Sequence, residues 1–283
     1  MSHIEEILSL TLNNNVHDGV NFTSYDLKGI SLNGISFIFS VFSGSSFDKS
    51  ELVDINFSQA NLKNTSFKKS KIKNVNFTSC NLENANFEDA TLINCDFKNA
   101  KLEKSVFASA QIKGCHFRGS NMSHSNLSSA KIQNSDLRFA RLMYTYAKSV
   151  DISGSRMNGV NARGSDFGFC KISNVDLRGA ILKYCDFNSC TLKGVKLSHA
   201  EMVGSELKDS FCKGTDMEEI NLEGADLTYA NLEGVNLKNA FLLEANLHGA
   251  NFRKANLKDA YLVDANISKA LLKEAILDNT ILE

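Results

Sequence analysis

From Phe22 to Leu282 every fifth residue of this chain belongs to one uninterrupted apolar series. Of its 53 positions, 50 are Leu, Phe, Ile or Met, and the exceptions are Ala147, Ala162 and Cys212. Two residues before each of these stands a small or β-branched residue, as at Ala60, Cys80, Ala85, Ala90, Cys95, Ala225, Ala230 and Val235. A fixed short period of this kind marks a solenoid, in which each unit buries its apolar side only by stacking on its neighbours.

Stretches such as Ala225-Asp226-Leu227-Thr228-Tyr229, Ala230-Asn231-Leu232-Glu233-Gly234 and Ala255-Asn256-Leu257-Lys258-Asp259 resemble the A-(D/N)-L-x-x unit of the pentapeptide-repeat proteins. The resemblance extends over most of the chain. It implies an all-β fold, a right-handed quadrilateral parallel β-helix with four units per coil.

The columns support four sides independently. Phe recurs at 37, 57, 77, 97 and 117, and again at 47, 67, 87 and 107, with Leu52, Ile72, Leu92, Ile112, Leu62, Leu82 and Leu102 between them. A twenty-residue coil turns these series into two opposed Phe walls and two aliphatic walls. A fifteen-residue coil would stack Phe on Leu, and a ten-residue coil would be too narrow. Alternating bulky and slim walls lets a narrow interior reach close packing. At the strand spacing of about 4.8 Å, about 13 coils would make a rod roughly 60 Å long. Asn and Asp recur just before the large residue (Asn56, Asn76, Asn86, Asp96, Asn236, Asn246), where they can bridge coils or tie down corners. The absence of Pro fits a backbone whose amides are all needed in ladders.

The expected organisation is an N-terminal cap over residues 1–20 and a β-helix over 21–283. Ser2-His3-Ile4-Glu5 reads as a capping box opening a short amphipathic helix that shields the first coil. No stretch approaches the roughly 18 apolar residues of a transmembrane helix. Residues 1–12 lack a basic start and an apolar signal core, so the expected site of synthesis and folding is the cytosol; export by a specialised apparatus would leave no such signal. Six of the seven cysteines (Cys80, Cys95, Cys115, Cys170, Cys185, Cys190) take the small inward position and Cys212 a large one. Pairs such as Cys95/Cys115 and Cys170/Cys190 are one coil apart, within reach of a disulfide, but reduced cysteines acting as small hydrophobes are the expectation. No Cys/His spacing suggests zinc.

Nothing in the sequence converges on catalysis, and no cofactor is implied. His3, His17, His116, His124, His199 and His248 are dispersed, and column arithmetic assigns none of them a Ser, Cys or carboxylate partner. The glycines mostly fall at the outward corner (Gly114, Gly119, Gly154, Gly159, Gly164, Gly194, Gly204) rather than in a phosphate loop. A catalytic site needs groups converging in a pocket, so the reading is non-enzymatic.

Charge is segregated although the net is −1. Residues 1–60 carry two basic and seven acidic side chains, 61–200 carry 21 and ten, 201–250 carry three and ten, and 251–283 balance. Lys98, Arg118, Arg138 and Arg178 form a column broken by Asn158, and Arg156 and Lys196 join the same wall. Such a column attracts an acidic surface unless Asp96, Asp136 and Asp176, two residues upstream, neutralise it. Phe139, Tyr144, Tyr146 and Phe169 fall at nominally outward positions around the thin core at Ala147 and Ala162. Either Tyr146 turns inward to refill that coil, or aromatics are displayed beside the basic column as interface residues. At the C-terminal end Phe241, Tyr261, Leu271, Ile276 and Ile281 replace Asn or Asp with apolar groups, a candidate seam for an end-to-end homodimer.

These features point to an interaction rod or scaffold for a protein partner. The family resemblance adds effector or targeting roles known among bacterial members. One alternative is DNA mimicry towards a type II topoisomerase, the role of quinolone-resistance members, for which the acidic residues Glu201, Glu206, Asp209, Asp216, Glu218, Glu219, Glu223 and Asp226 argue. Another is a basic mid-rod face for nucleic acid or anionic lipid, whose affinity would fall steeply with salt.

Overall fold

The computed structural model describes residues 2–11 and 15–282. Helix α1 (His3–Thr11) opens on the anticipated capping box: the Ser2 N–H donates to Glu5 Oε2 at 2.7 Å, and the Glu5 N–H donates to Ser2 Oγ at 3.2 Å. Glu6 accepts from the Tyr25 hydroxyl at 2.8 Å, His3 stacks on the Tyr25 ring at 4.2 Å, and Ile7 is buried. These contacts lay the helix on the first coil.

The chain forms two compact units, Met1–Arg141 and Leu142–Glu283. In the first, strands β1 (Ser31–Asn33), β2 (Glu51–Val53), β3 (Lys71–Lys73), β4 (Thr91–Ile93), β5 (Gln111–Lys113) and β6 (Lys131–Gln133) pair in parallel, each with the strand twenty residues on. The second unit holds β7 (Asp151–Ser153), β8 (Lys171–Ser173) and β9 (Thr191–Lys193) in the same register. The fold is therefore the expected parallel β-solenoid with a twenty-residue coil.

The other walls replace strands by bridges and tight turns. The Ala60 N–H returns to the Phe57 carbonyl at 2.9 Å while Gln59 sits at φ 60°, the left-handed third position of a type II turn. Among the described residues the regular strands number nine, fewer than the about 13 coils anticipated from length. After β9 the strand-bearing wall adopts the turn as well: the Thr215 N–H donates to Cys212 O at 3.0 Å, and Val235 to Leu232 at 3.2 Å. Register persists there as the bridges Thr191↔Phe211, Phe211↔Asn231 and Asn231↔Asn251. Asn231 and Asn251 also spend their side-chain oxygens on the N–H two residues on, which curls the chain out of extended structure.

Inside the first unit the two Phe walls are as anticipated. Phe77, Phe97 and Phe117 stack at 4.7 Å, Phe67, Phe87 and Phe107 at 4.8 Å, and the ladders meet edge-on, with Phe77 and Phe87 at 6.1 Å and 83°. Stacked faces within a column and edges between columns are both favoured aromatic geometries. Polar residues at the small inward position add ties between coils: Ser40 Oγ donates to His17 O at 2.8 Å, Thr65 Oγ1 to Phe42 O at 2.8 Å and Cys185 Sγ to Ala162 O at 2.9 Å. All seven cysteines are buried and free. Burial pushes the thiols of Cys80, Cys185 and Cys212 up to about 12, which makes them poor nucleophiles.

The Asn and Asp positions do both things expected of them. Asn56 and Asn76 accept from the N–H two residues on, at 3.0 and 2.9 Å. In the second unit Asn251 donates to Asn231, Asn256 to Asn236 and Asn266 to Asn246, at 3.0–3.2 Å across coils. Among the described residues no helix is long and apolar enough to cross a membrane.

Candidate functional site

In the first unit Lys98, Arg118 and Arg138 follow the Phe97–Phe117–Leu137 wall. In the second unit Arg156, Arg178 and Lys196 share the corresponding wall, flanking Met157, Leu177 and Leu197. Three of these six residues pair with the acid two residues upstream. Arg138 grips Asp136 with two parallel bonds, Nε to Oδ1 at 2.9 Å and Nη2 to Oδ2 at 2.7 Å. Arg178 holds Asp176 in the same fork at 2.9 and 2.8 Å, and Lys98 meets Asp96 at 3.1 Å. The Arg178 guanidinium holds the Asp176 carboxyl below the usual carboxylate range. Upstream acids thus neutralise three of the basic residues.

The residues before the wall centre alternate between acidic and basic types. Asp96, His116 and Asp136 are bridged in register in the first unit, and Arg156, Asp176, Lys196 and Asp216 in the second. Two open clefts lie on these walls. One of about 310 Å³ is lined by Lys98, Asn99, Arg118, Gly119 and Phe139. The other, of about 290 Å³, includes Arg156, Asp176 and Lys196 between the corners Gly154 and Gly194.

Phe139, Tyr144, Tyr146 and Phe169 are all exposed, by 50–64%. Tyr146 does not turn inward, and Ala147 and Ala162 remain fully buried beside it. The aromatics do not gather on one face. Phe139 sits at the corner of the basic wall of the first unit. In the second unit Tyr144 follows the Leu142 wall, whereas Tyr146 and Phe169 belong to the Ala147–Phe167 wall. What these walls share is a cation over a ring: Arg118 lies 5.7 Å from Phe139, Lys148 5.2 Å from Phe169 and Arg163 5.3 Å from Tyr184.

Tyr184, Arg163 and Lys148 escaped the sequence reading, although column arithmetic could have found them. Corner tyrosines lie over a glycine one coil later. A Cβ at Gly164 would come 2.7 Å from the Tyr144 ring, at Gly204 2.8 Å from Tyr184, and at Gly249 2.4 Å from Tyr229.

Column arithmetic also fails to leave the histidines without partners. His199 Nδ1 lies 3.1 Å from Glu219 Oε2 and His248 Nδ1 2.7 Å from Ser268 Oγ, each pair one coil apart. The rings are dispersed in sequence, but stacking brings a residue twenty positions away into contact. Neither pair lines one of the clefts. Among the described residues no group of three His, Cys, Asp or Glu side chains is placed to hold a metal ion.

Several acidic residues that would serve DNA mimicry are paired: Glu201 with Lys183 at 2.7 Å, Glu219 with His199, Asp226 with Lys208 at 3.2 Å and Glu218 with Lys238 at 3.6 Å. Asp166, Asp186 and Glu206 stack in register as an acidic column that ends on the Lys208-paired Asp226. Burial, with the neighbouring Asp166 and Glu206 carboxylates, raises the Asp186 carboxyl above its ordinary value. A raised carboxyl favours folding when protonated; that contribution is complete below the unfolded-state value and is lost as pH rises through the folded one. Asp186→Asn should therefore stabilise the protein at neutral pH by up to about 1 kcal/mol, the scale of a cross-strand like-charge contact. The gain should vanish in acid, as urea midpoints at the two pH values will read.

At the C-terminal end Phe241 and Tyr261 stack at 5.3 Å and are 42% and 40% exposed. Leu271, Ile276 and Ile281 are 40–47% exposed. The core-series residues Leu272, Leu277 and Leu282 are also 37–53% exposed, which the sequence reading had not singled out. They line a 100 Å³ apolar hollow with Phe252, Leu257, Leu262 and Ile267.

Flat walls with shallow clefts, built on stacked five-residue units, define a repeat solenoid that presents surface. Residues 30–95 and 90–167 match the family profile described as pentapeptide repeat region, and 170–209, 207–242 and 242–279 match pentapeptide repeats (8 copies). The chain belongs to the pentapeptide-repeat family. Similar solved structures include HetL, a pentapeptide repeat protein involved in heterocyst differentiation regulation from the cyanobacterium Nostoc sp. strain PCC 7120. It is 21% identical, with 100% of this chain and 97% of that one covered and a TM-score of 0.33. Full-length QnrB1, a plasmid-mediated fluoroquinolone resistance protein, is 18% identical over 85% of this chain and 92% of its own, at a TM-score of 0.34. Rfr23 from the cyanobacterium Cyanothece 51142 is 32% identical over 35% of this chain and 64% of its own, at a TM-score of 0.24. No curated protein matches the sequence.

Proposed function

We propose that this protein is a non-enzymatic interaction module that presents its basic, aromatic-bearing walls to a protein partner. One observation carries the reading: Arg118 over Phe139, Lys148 over Phe169 and Arg163 over Tyr184 place cations on exposed rings. Arg and aromatic side chains are the groups that dominate protein interfaces. A ring already covered by a cation is held in one orientation and loses less freedom when a partner docks. Capture of partners from lysate tests the reading. Replacing Arg118, Arg138 and Arg178 by Glu should remove the captured protein, while Phe211→Ala, at an exposed ring on the Leu192–Cys212 wall, should not. Capture unchanged by the triple replacement rejects the walls as the contact surface.

The apolar C-terminal end is proposed as the seam of a homodimer, with a second copy covering Leu272, Leu277 and Leu282. The surface is self-similar, since apolar side chains of one coil ring an apolar hollow. Ile276→Asp/Ile281→Asp should halve the mass measured by light scattering. A parent that already has the monomer's mass rejects the seam.

A further inference from the structure

The basic wall repeats one short sentence with one altered word. Asp136-Leu137-Arg138 and Asp176-Leu177-Arg178 each close a two-pronged fork, guanidinium on carboxylate, at 2.7–2.9 Å. Asp96-Phe97-Lys98 makes the lysine version at 3.1 Å. The third arginine stands in His116-Phe117-Arg118, where an imidazole occupies the place of the acid. Among the described residues no ion pair involves Arg118.

Its guanidinium is nevertheless held. It lies 5.7 Å from the centre of the Phe139 ring and lines the 310 Å³ cleft with Lys98, Asn99 and Gly119. Stacking on an aromatic face leaves the in-plane N–H edge of an arginine free for a planar, two-oxygen acceptor. Lys98 in the same cleft is already held by Asp96 at 3.1 Å.

We infer that Arg118 is an open carboxylate socket, which takes an Asp or Glu side chain of a protein partner in the fork that Arg138 and Arg178 close internally. The inference rests on the reading of this wall as an interaction surface and names what it grips. The carboxylate follows from the two filled copies of the same site, which show the acceptor an arginine at this position holds. Phosphate can also present two oxygens to a guanidinium fork, so the carboxylate assignment rests on the filled copies at Arg138 and Arg178.

The test follows the arginine Nε–Hε resonances of the intact protein by NMR during titration with acetyl-triglutamate amide. Acetyl-triglutamine amide and inorganic phosphate serve as separate arms. The Arg118 resonance, assigned by its loss in Arg118→Lys, should shift and saturate with the glutamate peptide and not with the glutamine one. Those of Arg138 and Arg178 should stay. His116→Asp restores the internal acid: the Arg118 resonance should move towards that of Arg138, and its affinity for the peptide should fall at least tenfold. The unfolding transition of that variant should remain cooperative, which separates a filled socket from a damaged fold.

Peptide affinity retained in His116→Asp overturns the socket. A response to phosphate without one to the peptide overturns the carboxylate assignment. Equal shifts at Arg118, Arg138 and Arg178 would leave a diffusely basic wall and no socket, whereas no shift at any arginine removes both the socket and the acidic partner.

Discussion

Phe97→Ala should destabilise the first unit by about 3–5 kcal/mol, the range for a buried aromatic cut to alanine. Phe97 is fully buried between Phe77 and Phe117, each at 4.7 Å, and meets Phe87 edge-on at 5.8 Å and 87°. The upper part of that range applies because the cavity cannot close. The Phe97 N–H donates to His116 O at 2.6 Å and the Asp96 N–H to Val75 O at 3.0 Å, so the backbone on both sides is fixed by its ladder. Phe139→Ala is the matched control: that ring is 53% exposed, and its loss should stay within about 0.5 kcal/mol. Shifts of the urea midpoint, with the slope unchanged, read both values. A loss below about 1 kcal/mol for Phe97→Ala would mean that the coil interior can collapse and that the ladder is not what fills it.

Much of this architecture was written in the period. Phe57, Phe77 and Phe97 recur every twenty residues because a coil has that length, and the columns follow from the count alone. Less legible were features in which local geometry competes with composition. Phe139 and Tyr144 occupy corners at φ 58° and 54°, where bulky residues are uncommon, because the turn imposes the angle whatever the side chain. The hydroxyl and thiol ties from Ser40, Thr65 and Cys185 reach carbonyls 23 residues earlier, and a small residue at that position reads simply as core. The pairing of Asp136 with Arg138 was visible as one of two options, since the two residues flank the inward Leu137. The dispersal of the rings over several walls was missed because outward position alone does not say which wall a residue faces.

The register that specifies this fold should distinguish two deletions of very different size. Removing residues 81–100 takes out one whole coil of the first unit, and every column closes again: Phe77 meets Phe117, Ile72 meets Ile112 and β3 meets β5. Such a solenoid loses one repeat and one interface, so a cooperative transition should survive with a modestly lower midpoint. Removing Lys98 alone should be far worse. The coil after the gap then faces the wrong neighbours in the coil before it, and a shift of one residue along a two-residue period turns apolar side chains to the outer face. The ladder partners that span the gap, such as Leu82 N–H to Lys101 O at 2.7 Å and Lys101 N–H to Cys80 O at 2.9 Å, can no longer all be kept. Each buried backbone group left without a partner costs about 1–3 kcal/mol, and a handful exceeds the stability of a typical domain. Circular dichroism and urea unfolding of the two variants should thus show a folded protein for the twenty-residue deletion and a non-cooperative or aggregated one for the single deletion. Equal stability of the two would show that stacking register does not hold this solenoid together, because a chain free to slip could absorb either loss.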